Sequence, residues 1–205
     1  MITLYGIAAS RAFRCLWLLE ELGILYQHRA MDFRGPEIRS EAYRAINPNA
    51  RVPALVDGDL VLYESMAINL YLAEKYGVAA GLWPETPEQR ALAYQWSFWI
   101  MTEVEQSLLS VLMHKRVLPE NKRDPQKVSR NEGLLRQPLG VLDRALGERG
   151  YLATEHFSVA DLNVAAVLGW CKPADFSLQP YPNLDRWLRA CLDRPARRCA
   201  QTAGA

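Results

Sequence analysis

Ser10 lies between a short apolar run, Ile2–Tyr5, and a segment of helical periodicity that ends at Gly23. A hydroxyl at a helix start usually caps the helix by accepting a backbone N–H bond. It can instead donate its hydrogen to a bound thiolate, because the helix dipole and the first N–H groups stabilise the same anion. Lowering the pKa of a thiol from about 8.5 by two units requires only about 2.7 kcal/mol, which one charge-assisted hydrogen bond and a helix terminus can supply. Ser10 is therefore the first candidate for activating a thiol.

Tyr5, at the end of the apolar run, is the second candidate for that role. Its hydroxyl could reach a thiol bound near Ser10. A tyrosine in this position more often packs its ring and leaves the polar tip exposed. The residue types favour Ser10 and leave Tyr5 as the alternative.

The dipeptide Val52-Pro53 could bind the backbone of a peptide-like ligand. A cis peptide before Pro53 would turn the N–H and C=O of Val52 outward, and a cysteinyl residue of a ligand could pair with them like an added strand. The alternative is a proline that merely begins an edge strand. The preceding Arg51 and the predicted hairpin that follows favour the ligand-binding interpretation.

Glu64-Ser65 begins a predicted helix and could bind the charged end of the same ligand. Ser65 could be an ordinary cap. It would also present a hydroxyl, a backbone N–H and the helix dipole together, an arrangement that suits a carboxylate. Glu64 could then bind the ammonium group of the ligand.

An aromatic-rich helix further along the chain could line an apolar pocket. Trp96 and Trp99 share one face of this helix, and His114 lies beyond them. Packing in a helical core is the commoner role of such residues, but part of this surface could wall a pocket above the thiol site.

The segments that must position these residues alternate between strand and helix over the first 76 residues. Apolar runs and the turn sequence Asp57-Gly58-Asp59 predict strands over 2–5, 26–31, 53–56 and 60–63. Periodicity and capping signals predict helices over 10–22, 36–46 and 65–76. Because the last two strands form a hairpin, the sheet is predicted to be mixed.

The rest of the chain is predicted to be helical. The helices are predicted over 86–117, 124–147, 158–170 and 183–193, with a short piece after Pro195. Pro138 removes a hydrogen bond inside the second of these, so we expect a kink or break there. Ser158 and Asp161 form a structural capping box. We expect two domains, 1–77 and 86–205, joined by a linker at 78–85.

Composition narrows the classes of function. The formal net charge is +1, so no global field attracts nucleic acid or an anionic membrane. The four cysteines are scattered and the three histidines stand alone, so we predict neither a disulfide framework nor a metal site. No leader-like or membrane-spanning run is apparent, and we expect a cytoplasmic protein.

The chain resembles the cytosolic glutathione transferases, of a serine-type, bacterial or plant-like class, over nearly its whole length. The resemblance lies in the order and spacing of six motifs: Ser10-Arg11 with the helix that follows, Asn47-Pro48, Arg51-Val52-Pro53-Ala54-Leu55, Asp57-Gly58, Glu64-Ser65, and Phe157-Ser158-Val159-Ala160-Asp161. It implies a thioredoxin-like α/β N-terminal domain, an all-α C-terminal domain and a homodimer.

By this resemblance, Ser10 is the activating hydroxyl, Val52-Pro53 pairs with the cysteinyl unit of glutathione, and Glu64-Ser65 holds its γ-glutamyl end. Arg51, and also Arg39, are candidates for the glycyl carboxylate. The relatives that exchange disulfides have cysteine where this chain has Ser10, so that chemistry is disfavoured. The serine-rich signature of the maleylacetoacetate isomerase class is replaced by Ala8-Ala9-Ser10-Arg11, which disfavours that isomerisation.

The expected activity is transfer of glutathione, as co-substrate, to a small hydrophobic electrophile without a metal. The alternatives are a non-catalytic glutathione-binding carrier or docking module, and a glutathione-dependent peroxidase that uses the same site. The pocket for the electrophile is expected around Trp96, Trp99 and His114, and the sequence leaves the identity of that substrate open.

Overall fold

The computed structural model describes residues 1–203, which form two compact units. The first unit contains residues 1–83 together with 193–203, and the second is Pro84–Leu192. The chain after Leu192, which we expected in the helical domain, therefore packs with the first unit. Periodicity predicts a helix but does not say which surface covers its apolar face. Here that surface is the helix Ala12–Leu22, which is 170 or more residues away in sequence.

The first unit is built on a four-stranded mixed sheet with the order β2-β1-β3-β4. Its strands are β1 (Ile2–Tyr5), β2 (Tyr26–Arg29), β3 (Ala54–Asp57) and β4 (Leu60–Tyr63). β1 pairs parallel with β2 and antiparallel with β3, and β3 pairs antiparallel with β4. The predicted hairpin is confirmed: Asp57 pairs with Leu60, which leaves a two-residue turn, and Gly58 has φ +62°.

The helices of this unit are α1 (Ala12–Leu22), α2 (Glu41–Ile46), α3 (Ser65–Tyr76) and α9 (Pro195–Thr202). The helix predicted over 36–46 is wrong as one element. A 3-10 turn, Glu37–Arg39, comes first, and Ser40 is extended (ψ 150°) and accepts a hydrogen bond from the N–H of Tyr43. The serine breaks the helix because its hydroxyl caps a new one. A buried apolar cluster between this region and the sheet contains Met31, Ile38, Tyr43 and Ala54.

α9 packs along α1, and an ion pair fixes its start. The guanidinium of Arg194 donates to both carboxylate oxygens of Glu21, at 2.6 and 2.7 Å. The indole N–H of Trp17 donates to the same carboxylate at 2.9 Å. Because Glu21 is nearly buried (7% exposed side chain), this bidentate pair is a stronger tie than an exposed ion pair would be.

A second polar cluster connects the β3–β4 hairpin to the end of α3. One oxygen of Asp57 accepts hydrogen bonds from Tyr71 (2.8 Å), Lys75 (2.8 Å) and Tyr76 (2.6 Å). Burial alone would raise the pKa of Asp57, but the three hydrogen bonds outweigh it and lower the pKa to about 2. The carboxylate is therefore bound more favourably in the folded chain than in the unfolded one.

Asp57→Asn should reduce the loss in the free energy of unfolding that occurs as the pH falls below about 4. The folded pKa of Asp57 lies below the unfolded value of about 3.9, so its contribution is present above that value and is lost as the pH falls toward 2. We expect the wild type to lose about 1–2 kcal/mol more than Asp57→Asn between about pH 4 and 2. Urea unfolding followed by circular dichroism measures this. Asp59→Asn, in the exposed turn, is the control and should retain the wild-type slope.

The second unit is helical. Its helices are α4 (Pro87–Trp99), α5 (Gln106–Leu112), α6 (Pro125–Glu148), α7 (Val159–Leu168) and α8 (Pro182–Leu192). α4 and α5 belong to one continuous run, because π-helical turns occupy Ile100–Glu105 and Met113–Val117. The capping box predicted at Ser158 is present, and Thr86 and Gln89 form a second one.

Of the kink or break expected at Pro138, the break is wrong, because α6 continues through this residue, and the kink stays a prediction. Pro138 is buried with Leu135, Leu139 and Leu142, and α6 packs against both α5 and α8. This packing outweighs the roughly 3 kcal/mol that an internal proline costs a helix. None of the helices in residues 1–203 is both long and apolar enough to cross a bilayer.

Candidate functional site

Gly6, which follows β1, lets two candidate elements approach each other. Its φ is +131°, and a Cβ placed on it would lie 2.5 Å from the Cβ of Ala12 and 3.1 Å from the Cβ of Val52. Only a residue without a side chain allows both the dihedral angle and the approach. The first residue of α1 and the side chain of Val52 therefore both approach the backbone at the end of β1. Gly6 was not among the predicted site residues, although a glycine between a strand and a helix start was the available signal.

Ser10 lies in the turn that precedes α1 and is half-buried. Its hydroxyl donates to the carbonyl oxygen of Ile7 at 2.7 Å and accepts from the N–H of Ala12 at 3.1 Å. The helix begins two residues later than predicted, at Ala12. In this structure the hydroxyl makes the local hydrogen bonds of a cap, and its hydrogen points to a backbone carbonyl.

Tyr5 packs on the face of the sheet that is covered by the buried apolar cluster. Its ring centroid lies 5.8 Å from that of Tyr43, and it contacts the cluster that includes Met31 and Ala54. This is the packing role that the sequence analysis gave as the commoner one for a tyrosine in this position. The choice between Ser10 and Tyr5 as thiol activator stays a prediction.

The segment Arg51-Val52-Pro53 is held in place through the backbone of its first residue. The carbonyl of Arg51 accepts hydrogen bonds from the hydroxyl of Tyr43 and the side-chain amide of Asn47, both at 2.7 Å. Burial raises the pKa of Tyr43 to about 12, so its hydroxyl stays a donor. The Val52-Pro53 peptide is cis. Pro53 is buried, whereas the side chain of Arg51 is exposed.

Glu64 and Ser65 form a sharply bent helix start. Glu64 is exposed and has φ +73°, a region that residues other than glycine seldom adopt and that is frequent at functional sites. Ser65 is the first residue of α3 and is only 3% exposed. Its hydroxyl accepts a hydrogen bond from Arg14 Nη1 at 3.2 Å. Arg14 was not among the predicted site residues, because an arginine in an amphipathic helix ordinarily faces solvent.

The other predicted residues lie on other elements. Arg39 is exposed at the end of the 3-10 turn. In the second unit, the rings of Trp96 and Trp99 are in edge contact at 5.1 Å. Trp96 is 7% exposed and lines a cavity of about 160 Å³. His114 accepts a hydrogen bond from the N–H of Asp124 through Nδ1 at 3.2 Å, which fixes the start of α6. That these three residues line an electrophile pocket stays a prediction.

The arrangement can bind an anion but offers no evident protein nucleophile. Cys15 follows Arg14 in α1 but is fully buried, and burial raises the pKa of its thiol far above neutrality. In residues 1–203, no group of three or more histidine, cysteine or acidic side chains is arranged to hold a metal ion. The chemistry available is hydrogen-bond donation from the Ser10 and Ser65 hydroxyls and from the first N–H groups of two helices.

Both units match known sequence families. Residues 1–74 match the model described as the N-terminal domain of glutathione S-transferase, and residues 125–190 match the model of its C-terminal domain. The chain is 32% identical over 200 residues to glutathione S-transferase GstB of Escherichia coli K12, an alignment that covers 96% of this chain and 95% of the relative.

Solved structures agree with this. The theta class glutathione S-transferase of Xanthomonas axonopodis pv. citri, solved with glutathione bound, has a TM-score of 0.89 at 30% identity, covering 98% of this chain and 97% of that one. Glutathione transferase F2 of Populus trichocarpa has a TM-score of 0.91 at 26% identity and full coverage of both chains. The predicted fold, a thioredoxin-like domain and an all-α domain, is confirmed.

Proposed function

The chain belongs to the glutathione S-transferase family, and from this premise we propose that it conjugates the thiolate of glutathione with small hydrophobic electrophiles, with Ser10 keeping the sulfur ionised. One observation carries the proposal. Ala12, the first residue of α1 and two positions after Ser10, and Val52 both approach Gly6 through their Cβ atoms, so we expect a cysteinyl residue paired with Val52 to lie near the Ser10 hydroxyl.

Activation requires the Ser10 hydroxyl to change its acceptor. A hydroxyl has one hydrogen, and that of Ser10 is donated to the Ile7 carbonyl. Rotation of the hydroxyl would exchange this neutral hydrogen bond, worth about 1 kcal/mol, for a stronger charge-assisted bond to sulfur. After the rotation one lone pair of the oxygen can still accept from the N–H of Ala12, and the dipole of α1 also acts on the anion.

Glutathione would extend from Val52 toward α3. Its cysteinyl backbone would pair with Val52, and its γ-glutamyl carboxylate would lie at the Ser65 hydroxyl and the first N–H groups of α3. Glu64 would bind the γ-glutamyl ammonium. The candidates for the glycyl carboxylate are Arg51 and Arg39. The side chain of Arg51 is exposed, and its own backbone carbonyl is held by two hydrogen bonds.

The rate gain would come from thiolate formation and from holding the sulfur near the electrophilic carbon. With an aryl halide the sulfur would form the new bond and the halide would depart with its electron pair. With an isothiocyanate the sulfur would add to the central carbon, a C=N π pair would move to nitrogen, and nitrogen would take a proton from water. Neither reaction requires a protein nucleophile. We propose the aromatic region of Trp96 and Trp99, with His114, as the apolar surface for the electrophile.

Ser10→Ala tests the mechanism. We expect conjugation of an aryl halide or isothiocyanate to fall at least tenfold while the Kd for glutathione changes little. Ultraviolet titration of the complex should show the thiol pKa rising toward about 8.5. Ser40→Ala is the matched control, because Ser40 also donates to a carbonyl three residues earlier and accepts a helix-start N–H. Tyr5→Phe tests the alternative donor.

Three results would overturn the assignment of Ser10. The first is unchanged turnover in Ser10→Ala, and the second is a tenfold loss confined to Tyr5→Phe. The third is equal and negligible turnover in wild type and variant with intact glutathione binding, which would favour the carrier. A parallel assay with cumene hydroperoxide measures the peroxidase alternative.

We further propose that the protein is a homodimer and acts in the cytoplasm. Edge strand β4 exposes Leu60, Val61 and Tyr63, an apolar surface that a second copy could cover. The four cysteines remain thiols, as they do in a reducing compartment. Sedimentation equilibrium measures the mass in solution.

A further inference from the structure

A charged side chain that the mechanism has not used lies beneath the glutathione-binding surface. Arg14, in the first turn of α1, is 1% exposed. Burying a guanidinium costs several kcal/mol unless polar groups and charges around it compensate, so a buried arginine needs a reason. Its Nη1 donates to the Ser65 hydroxyl at 3.2 Å, and this contact joins two helices across 51 positions of sequence.

This hydrogen bond decides how the Ser65 hydroxyl can act. Arginine can only donate, so the oxygen of Ser65 is the acceptor. Across residues 1–203 the hydroxyl of Ser65 donates to no group of the chain, and its hydrogen is available to a ligand. Arg14 therefore sets the Ser65 hydroxyl as a donor, which is the role that recognition of a carboxylate requires.

The charge of Arg14 matters as well as its geometry. Glu64, directly before Ser65, is an exposed carboxylate that suits the ammonium of a γ-glutamyl group but repels its carboxylate. A buried cation one hydrogen bond behind Ser65 offsets that repulsion, because a positive charge in a region of low dielectric constant acts more strongly than one in water. The pair of charges fits a zwitterion with its ammonium near Glu64 and its carboxylate over Ser65.

We propose that Arg14 is a positioning residue that acts through Ser65 and selects ligands carrying the α-carboxylate of a γ-glutamyl group. The inference rests on the proposed function, since it assumes that glutathione binds with this end at Ser65. A merely structural role for Arg14 would support the α1–α3 contact in general. Part of that contact is independent of the side chain, because Asn69 donates to the backbone carbonyl of Arg14 at 3.2 Å.

The test compares two ligands on the same variants. Glutathione is one, and 4-aminobutyryl-cysteinyl-glycine, which lacks only the α-carboxylate of the γ-glutamyl group, is the other. We expect Arg14→Gln to raise the Kd for glutathione about tenfold and the Kd for the carboxylate-free peptide less than about twofold. Ser65→Ala should show the same selectivity. Combining the two substitutions should add little, because both remove one interaction.

Arg14→Lys keeps the positive charge but changes the geometry of the donor groups. It should raise the Kd for glutathione about threefold and leave the Kd for the carboxylate-free peptide unchanged. If Arg14→Gln fails to fold, this variant decides the question in the same way. An equal loss for the two ligands in either variant would overturn the proposal and assign Arg14 a structural role. Wild type that binds neither ligand would instead refute the proposed function itself, which separates the two failures.

Discussion

Asp161→Ala should lower the free energy of unfolding by about 4 kcal/mol, the largest stability effect expected of a single substitution in the second unit. The carboxylate has no solvent exposure and accepts four hydrogen bonds, each 3.0 Å long. Two come from the N–H and hydroxyl of Ser158, one from the N–H of Leu152 and one from the indole of Trp187. Alanine would leave four buried donors without an acceptor.

Burial raises the pKa of Asp161 to about 6, although the hydrogen bonds oppose the shift. The group is therefore ionised at pH 7, the state that matches four donors. The measurement is urea unfolding at pH 7, with the midpoint and slope compared between variants.

The second capping box of this unit supplies a matched control. Gln89 closes an equivalent box with Thr86, but at an exposed helix start. Gln89→Ala should lower the free energy of unfolding by about 1 kcal/mol or less, because water can replace the lost hydrogen bonds. Equal costs for Asp161→Ala and Gln89→Ala would contradict the argument that burial makes the difference.

Gly6→Ala should reduce turnover about a hundredfold and destabilise the first unit by about 2–4 kcal/mol. The new Cβ would lie 2.5 Å from that of Ala12, a distance that real structures do not allow, and φ is +131°. Either the start of α1 or the Val52 segment must move, and a shift of about 1 Å between Ser10 and Val52 would misplace the sulfur in the proposed complex. Steady-state kinetics and thermal unfolding measure the two effects separately.

Gly23→Ala is the control for the backbone contribution. Gly23 also has positive φ (+61°), but nothing lies within 4 Å of its Cβ position. Gly23→Ala should lower the free energy of unfolding by about 1 kcal/mol and leave turnover unchanged. The double variant Gly6→Ala/Ala12→Gly removes the closest contact and should recover part of the lost activity. Wild-type turnover in Gly6→Ala would show that the close approach at Gly6 does not position the site.

Much of the fold could be predicted because it depends on neighbours in sequence. The two-residue turn after Asp57, the capping box at Ser158 and the helix that ends at Gly23 each follow from residues within about four positions of one another. The order of these signals was enough to identify the family and the two kinds of domain. It also selected Ser10, Val52 and Ser65 as candidates.

What the sequence left undecided depends on contacts between distant segments. A helical pattern marks Arg14 as polar, but only the packing of α1 against α3 buries it beneath Ser65. The same holds for α9, which Glu21 holds through Arg194 across 173 positions, and for the direction of the Ser10 hydrogen. Side-chain type and spacing determine local structure, whereas burial and the choice of hydrogen-bond partner are set by whichever surfaces the folded chain brings together.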